Sequence, residues 1–240
     1  MSYWKEIQVV DSVGDALMIS TSGELHSVIP NRLAGGVFNG TVVDPNAWVT
    51  SVVGSGTVTQ SGGIQSLNTG ATASSSAVSK SGQIARYVGA AANRFRGRVQ
   101  LGDTGTSGNT RIWGAFNGTD GAYFKISGTS MYVCTMNSGV ETAVISTSWN
   151  GNNATYTLTN CNTYEIDYNT SNVRFFIAGT MVHTVTATTS PWCAYIHLPT
   201  YASNANTGTA ANITLNLWAM TIYRMGQIDT QPVYFLGTTA

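Results

Sequence analysis

"NTYEIDYNTSNVRFFIAGTMVHTV" (residues 162–185) is the stretch on which the fold turns. In its first third Tyr164, Ile166 and Tyr168 alternate with Thr163, Glu165 and Asp167, the period of two by which a β-strand sends one face into a core and the other toward water. The polar "NTSN" (169–172) then reverses the chain into "NVRFFIAG". Gly179 within "AGT" (178–180) supplies a residue that tolerates positive φ for a second reversal into "TMVHTV". The stretch therefore predicts an antiparallel meander. Glu165 and Asp167 point the same way on its first strand, about 7 Å apart, and so raise the question of a catalytic carboxylate pair.

The same grammar extends along the chain. "RFRGRVQLG" (94–102) sets Arg94, Arg96 and Arg98 against Phe95, Gly97 and Val99, a strand with one wet face whose arginines are solvated or paired. Further strands are predicted in "RIWGAFN" (111–117), "AYFKIS" (122–127), "SMYVCTMN" (130–137), "ETAVIST" (141–147), "ATYTLT" (154–159), "CAYIHLPTYA" (193–202) and "NITLNLWAMTIYRMG" (212–226). Turn signals such as "TGTSGN", "NGTDG", "NSG" and "WNGNN" separate them, and no helical periodicity intervenes. So many strands exceed a small barrel. Two large packed antiparallel sheets are expected, with Trp113 and Phe176 in the core on opposite sheets. The Ser/Ala/Thr-rich "SLNTGATASSSAVSKSG" (66–82) reads as a polar edge strand and its loop, because alternation continues on both sides of it.

Composition bounds the function. Of 240 residues 9% are charged, 11 basic against 11 acidic, so no basic surface argues for nucleic acid. No window approaches the roughly 18 consecutive apolar residues of a membrane helix, and "MSYWKEIQVV" lacks the apolar stretch of a secretory leader, so a chain without membrane span or cleaved leader is expected. Cys134, Cys161 and Cys193 are odd in number and widely spaced, which predicts buried thiols rather than disulfides or a zinc site. His26, His183 and His197 lack partners at metal-ligand spacing. There is no G-x-S-x-G, and the Gly-rich "GSGTVTQSGG" precedes neither a helix nor Lys-Ser/Thr. No metal and no cofactor is expected.

Residues 1–35 read differently. They hold Trp4, Ile7, Val9, Leu17 and Ile19 in strands too few to bury their own face, and a C-terminal extension, 227–240, carries Val233, Tyr234 and Phe235. Exposed, these side chains would form an apolar patch, so both ends are expected to be assembly segments flanking a sandwich at 36–226.

Within that sandwich, "FNGTVVDPNAWVTSVVGSGTVTQSGGIQSLNTG" (38–70) resembles the opening of concanavalin A-like lectin/glucanase (laminin-G-like) modules: an aromatic, D-x-x-x-W, a strand, Gly-Gly and a second strand. "NTYEIDYNTSNVRFFIAGTMVHTV" resembles their later hairpin. Together with "NTRIWGAFNGTDGAYFKISG" (109–128) the pattern is similar to the version found in structural proteins of tailed bacteriophages. The resemblance implies an all-β, two-sheet antiparallel jelly roll with a short N-terminal docking segment. Related glucanases carry E-x-D-x-E on a catalytic strand. Here the third position is Asn169, and "YEIDYN" falls on the hairpin strand rather than where the catalytic strand lies. Ala178 stands where the pattern usually has Asp.

Glu165 and Asp167 are accordingly read as solvated strand positions, whose joint replacement by Gln and Asn should leave the fold intact. The expected function is that of a non-enzymatic bacteriophage virion structural protein: a capsid decoration or head/tail-attached appendage. Its expected partners are other virion proteins and further copies of itself, in a trimer by the habit of similar appendages. The alternative is a carbohydrate-binding or receptor-binding module for a host glycan, with Tyr123, Trp149, Tyr195, Tyr201 and Trp218 as stacking candidates. A glycoside hydrolase ranks third.

Overall fold

The computed structural model describes residues 31–87, 92–187, 191–208 and 211–225. They form fifteen strands and one short 3-10 turn, Ser146–Ser148, with no α-helix among them. One sheet contains β3 (Thr57–Ser61), β4 (Ile64–Asn68), β6 (Ala92–Leu101), β11 (Asn162–Tyr168), β12 (Asn172–Ile177), β13 (Thr180–Thr186) and β15 (Thr214–Met225). Its order is β13-β12-β11-β6-β15-β4-β3. The long β15 pairs β4 through Thr214–Leu217, bulges at Trp218, and pairs β1 (Asn31–Val37) through Ala219–Arg224. The other sheet runs β10 (Val140–Ile145), β9 (Ser130–Asn137), β8 (Gly121–Gly128), β7 (Thr106–Phe116), β14 (Thr200–Asn206), β5 (Ser76–Ser81), β2 (Trp48–Val53). Every pairing is antiparallel, as the sequence pattern predicts.

The core lies between the two sheets. Trp113 and Phe124 of one sheet meet Tyr164 and Phe175 of the other, edge to face at centroid separations of 5.0 to 5.4 Å. All four side chains are fully buried. Such geometry suits the aromatic quadrupole as well as burying area. Tyr164, Ile166 and Tyr168 point inward as expected, and so does Trp113. Phe176 does not. The inward set of β12 is Val173, Phe175 and Ile177, while Phe176 is half-buried on the outer face beneath the guanidinium of Arg94, 5.8 Å from its ring centroid.

Other expectations shift for identifiable reasons. "ATYTLT" alternates like a strand but makes no ladder; Ala154, Tyr156 and Leu158 pack on the core rim while Leu101 donates its backbone N–H to Leu158. In "CAYIHLPTYA" the strand begins only at Thr200. The polar strand β5 lies between β14 and β2 rather than at an edge, and Ser79 and Ser81 on it are buried. "NTSN" turns as predicted, with the Asn169 side chain accepting the N–H groups of Ser171 and Asn172, both at 2.8 Å. In the following turn Ala178 and Gly179 take φ of 50° and 80°, the left-handed pair a tight hairpin needs.

The sandwich includes residues ahead of 36, since Asn31 to Val37 pair with β15 and Ala34 is fully buried. The rest of the expected docking segment and the C-terminal extension, with Trp4, Ile7, Val9, Leu17, Ile19, Val233, Tyr234 and Phe235, lie outside the described residues. What the topology fixes is where they attach: Asn31 faces Arg224 across the β1–β15 ladder. Both flanking stretches join the sandwich side by side at one pole. The opposite pole is closed by Asn109, Asn204 and Asn206, whose side chains bond one another and the carbonyls of Leu67, Gly70, Thr72, Ala211 and Ile213.

Candidate functional site

Three surfaces carry chemistry. The first is the outer face of the sheet containing β7, β8 and β9. Here Phe116, Tyr123 and Cys134 form a buried floor, with Ile112, Tyr132, Met136 and Tyr201 half-buried around it. Phe116 lies 4.7 Å from Tyr123 and meets Tyr201 edge-on at 5.1 Å. Gly114 on β7 makes room for this floor, since a Cβ there would stand 2.7 Å from that of Tyr123. The Tyr123 hydroxyl donates to Glu141 at 2.5 Å, and Lys125 pairs with the other Glu141 oxygen while lying over the Tyr132 ring. Burial alone would push the Glu141 carboxyl up, but the hydrogen bonds from Lys125 and Tyr123 outweigh it and hold it below its ordinary value. Burial pushes the Tyr123 hydroxyl well up and the Cys134 thiol up to about 12, so neither ionises near neutrality.

The second surface is the outer face of β6, β11 and β12. Asp167 is 5% exposed and is gripped by Arg94 through two bonds, Nε to Oδ1 at 2.5 Å and Nη2 to Oδ2 at 2.8 Å, with Arg174 Nη2 at 3.5 Å. Glu165 lies 3.5 Å from Arg96 and 4.0 Å from Arg94. The carboxylates are thus not the solvated positions expected. The register sets Asp167 opposite Arg94 and Arg174, and Glu165 opposite Arg96, so the pair staples three strands across the ladder.

The third surface is a cleft of about 570 Å³ at the pole where the flanking stretches join, lined by Gly82, Ile84, Arg86, Tyr195 and His197. A neighbouring cleft of about 520 Å³ shares Ile84 and Arg86 with it and adds Arg32, Leu33, Gln83 and Arg224. Tyr195 meets His197 edge-on at 5.3 Å. His197 Nδ1 accepts the backbone N–H of Tyr87 at 2.9 Å, which leaves the neutral ring's proton on Nε2.

The stacking candidates therefore divide. Tyr123 and Tyr201 share the first surface, but Tyr123 is fully buried and its hydroxyl is engaged, so it forms the floor rather than a contact. Trp149 is half-buried and donates its indole N–H to Val144. Trp218 sits at the bulge of β15 on the other sheet. Tyr195, 47% exposed, is in the polar cleft. The sequence reading did not find Arg32, Arg86 and Arg224, which lie far apart along the chain and meet only through the topology.

Among the described residues no group of three His, Cys, Asp or Glu gathers to hold a metal, and no helix is long and apolar enough to cross a membrane.

No protein-family model matches the chain, and no curated protein matches its sequence. Its fold, however, has many solved counterparts. It is similar to the catalytic domain of an endo-1,3-beta-glucanase (laminarinase) from Thermotoga petrophila, with a TM-score of 0.60 and 11% identity over 84% of this chain and 100% of that one. The carbohydrate recognition domain of Emp46p in its metal-free form aligns at a TM-score of 0.52 and 11% identity, covering 76% of this chain and 92% of that one. Botulinum neurotoxin type C, which depends on two ganglioside molecules for entering cells, aligns at 0.52 and 9% identity over 80% of this chain and 47% of that one. This chain thus spans about half the length of the neurotoxin chain it matches. At such identities the likeness shows the fold alone: a two-sheet antiparallel, concanavalin-like jelly-roll sandwich.

Proposed function

We propose that the chain is a non-enzymatic structural module of a tailed-bacteriophage virion, a capsid decoration or head/tail-attached appendage, mounted at one pole by its flanking segments. The observation that carries the reading is the pairing of Asn31 with Arg224, which brings both apolar-bearing flanks to one end of the sandwich. A body held at one pole leaves the rest of its surface outward. The resemblance of 38–70, 109–128 and 162–185 to phage modules supports the setting, and neighbouring virion proteins with further copies of this chain, in a trimer, are the partners it implies. Deleting residues 1–30 tests the mount: a sandwich that keeps its thermal midpoint but no longer enters particles supports it, whereas normal incorporation refutes it.

Hydrolysis is not part of the proposal. A glycosidase needs two carboxyl groups flanking the scissile bond, about 5 to 9.5 Å apart according to mechanism. Among the described residues Glu141 on the Tyr123 surface is engaged by Tyr123 and Lys125, and Glu165 and Asp167 are held by arginines.

A second reading, carbohydrate binding, draws on the half-buried Tyr132 and Tyr201 around the Tyr123 floor and on the glycan chemistry of the proteins that share the fold. A glycan array probed with the full chain tests it. Binding abolished by Tyr201→Ala supports it, and an array with no signal removes it.

A further inference from the structure

We propose that the cleft beside Arg32, Arg86 and Arg224 is a carboxylate socket that seats an acidic peptide segment of the protein on which the chain is mounted; the choice of partner rests on the mounting proposed above. The described cations that make no ion pair are Arg32, Lys80, Arg86, Arg98 and Arg224; three of these, Arg32, Arg86 and Arg224, line the cleft of about 520 Å³, and Arg86 also lines the neighbouring one that holds Tyr195 and His197. Among the described residues no carboxylate lines it. Arg224 Nε is buried and has no hydrogen-bond partner, a state that costs stability until an acceptor arrives.

Two neutral side chains add hydrogen-bond donors to the lining. His197, with Nδ1 committed to Tyr87, presents Nε2–H, and the tyrosine beside it carries a further donor. A surface of guanidinium, imidazole N–H and phenol, without an anion, is complementary to a carboxylate. Arginine forks bind that group bidentately. Ile84, 53% exposed, lies on the wall shared by the two clefts and offers an apolar contact to the backbone or side chain carrying it.

Position decides between an acidic peptide and an acidic sugar. Arg32 follows Asn31 and faces Tyr223, while Arg224 faces Asn31, so the cleft borders the two points where the flanking segments join. Whatever holds those segments meets the cleft, and a host glycan approaching the outward surface would not. The two volumes, about 570 and 520 Å³, suit a few side chains rather than a folded partner.

The test uses the full chain and a capped, fluorescent ten-residue peptide of alternating Glu and Ala, followed by anisotropy in low salt. The Gln/Ala peptide is the neutral control, and a glucuronate-containing tetrasaccharide is the competing class. Binding of the Glu peptide alone is expected. Arg86→Gln and Arg224→Gln should each weaken it about tenfold or more, Arg86→Lys should restore only part of it, and Arg98→Gln, at an exposed position on β6, should leave it unchanged. Arg86 is exposed, so its variants keep the fold even if those of Arg224 do not.

Equal loss in Arg98→Gln would show general attraction and overturn the socket, as would binding of the sugar but not the peptide, or of neither. Particle incorporation separates this proposal from the mount. If deletion of residues 1–30 blocks incorporation while Arg86→Gln with Arg32→Gln does not, the socket fails and the mount stands.

Discussion

Replacing Asp167 by Asn keeps the side chain's shape and removes its charge from between Arg94 and Arg174. The carboxylate is 6% exposed and accepts two short bonds from Arg94, so the lost interactions are charge-assisted and largely dry. Breaking a fully buried pair from one side costs about 3–5 kcal/mol, because the remaining ion is left unpaired. Here the remaining ions reach water: the Arg94 side chain is 30% exposed and that of Arg174 50%. Rehydration brings the expected cost down to about 2 kcal/mol. For a domain of this size that is a fall of about 4–8 °C in thermal midpoint. Glu165, with contacts of 3.5 and 4.0 Å, is the internal comparison, and Glu165→Gln should cost about 0.5 kcal/mol. Urea unfolding followed by tryptophan fluorescence measures both, and a double-mutant cycle with Arg94→Gln should return about 1–2 kcal/mol of coupling for Asp167. An Asp167→Asn variant within about 0.5 kcal/mol of the parent would restore the solvated reading and refute the staple.

Trp113→Ala and Phe175→Ala should each cost about 3–5 kcal/mol, whereas Phe176→Ala should lose only its partial packing and the Arg94 contact, about 1 kcal/mol; chemical denaturation ranks the three. Acid should destabilise the fold in two windows. Burial holds His183 below its ordinary 6.5, with Nδ1 accepting the Asn150 N–H, so the unfolded chain takes the proton first. Stability complete above that value is lost as pH falls through the folded one. Asp103 and Glu141, depressed because hydrogen bonds outweigh their burial, lose their contributions below the ordinary 3.8 and 4.5 by the same sign. A urea midpoint measured against pH should show both windows, and His183→Gln should remove the upper one. Burial pushes the thiols of Cys134 and Cys193 up to about 12, and Cys161 is only half-buried, so a thiol reagent at neutral pH should modify Cys161 first by mass spectrometry.

The hairpins of 162–185 were legible because turn chemistry and alternation agree there: Asn169 and Gly179 mark the reversals, and Tyr164, Ile166 and Tyr168 set the phase. The misplacement of Phe176 was avoidable. In "VRFFI" the flanking Val173 and Ile177 fix the inward phase on Phe175, a signal stronger than aromatic identity. "ATYTLT" was not recoverable in this way, since alternation reports a half-buried extended segment but cannot say whether a neighbour is present to complete its ladder. Nor was the burial of Asp167. Its partner Arg94 is remote in sequence, and only the β11–β6 register brings them opposite. The polar cleft is the extreme case, with each arginine ordinary where it stands in the chain.

The distribution of charge ties these features together. Each described carboxylate is engaged within the sandwich: Asp44 and Asp120 accept backbone N–H groups, Asp103 holds Arg111, Glu141 holds Lys125 and the Tyr123 hydroxyl, and Glu165 and Asp167 hold the arginines of β6 and β12. The sandwich thereby commits its described acids to internal structure, which leaves Arg32, Lys80, Arg86, Arg98 and Arg224 as described cations without an ion pair. Had those cations been scattered, they would serve solubility alone. Because Arg32, Arg86 and Arg224 converge where the flanking segments join, three of the five described cations without an ion pair sit at the mounting pole, and the sheet faces carry aromatic and Thr/Ser/Asn surface. The β1–β15 pairing that sets the two flank junctions side by side also sets Arg32 beside Arg224, so one register places the flanks and the cation cluster at the same end of the molecule.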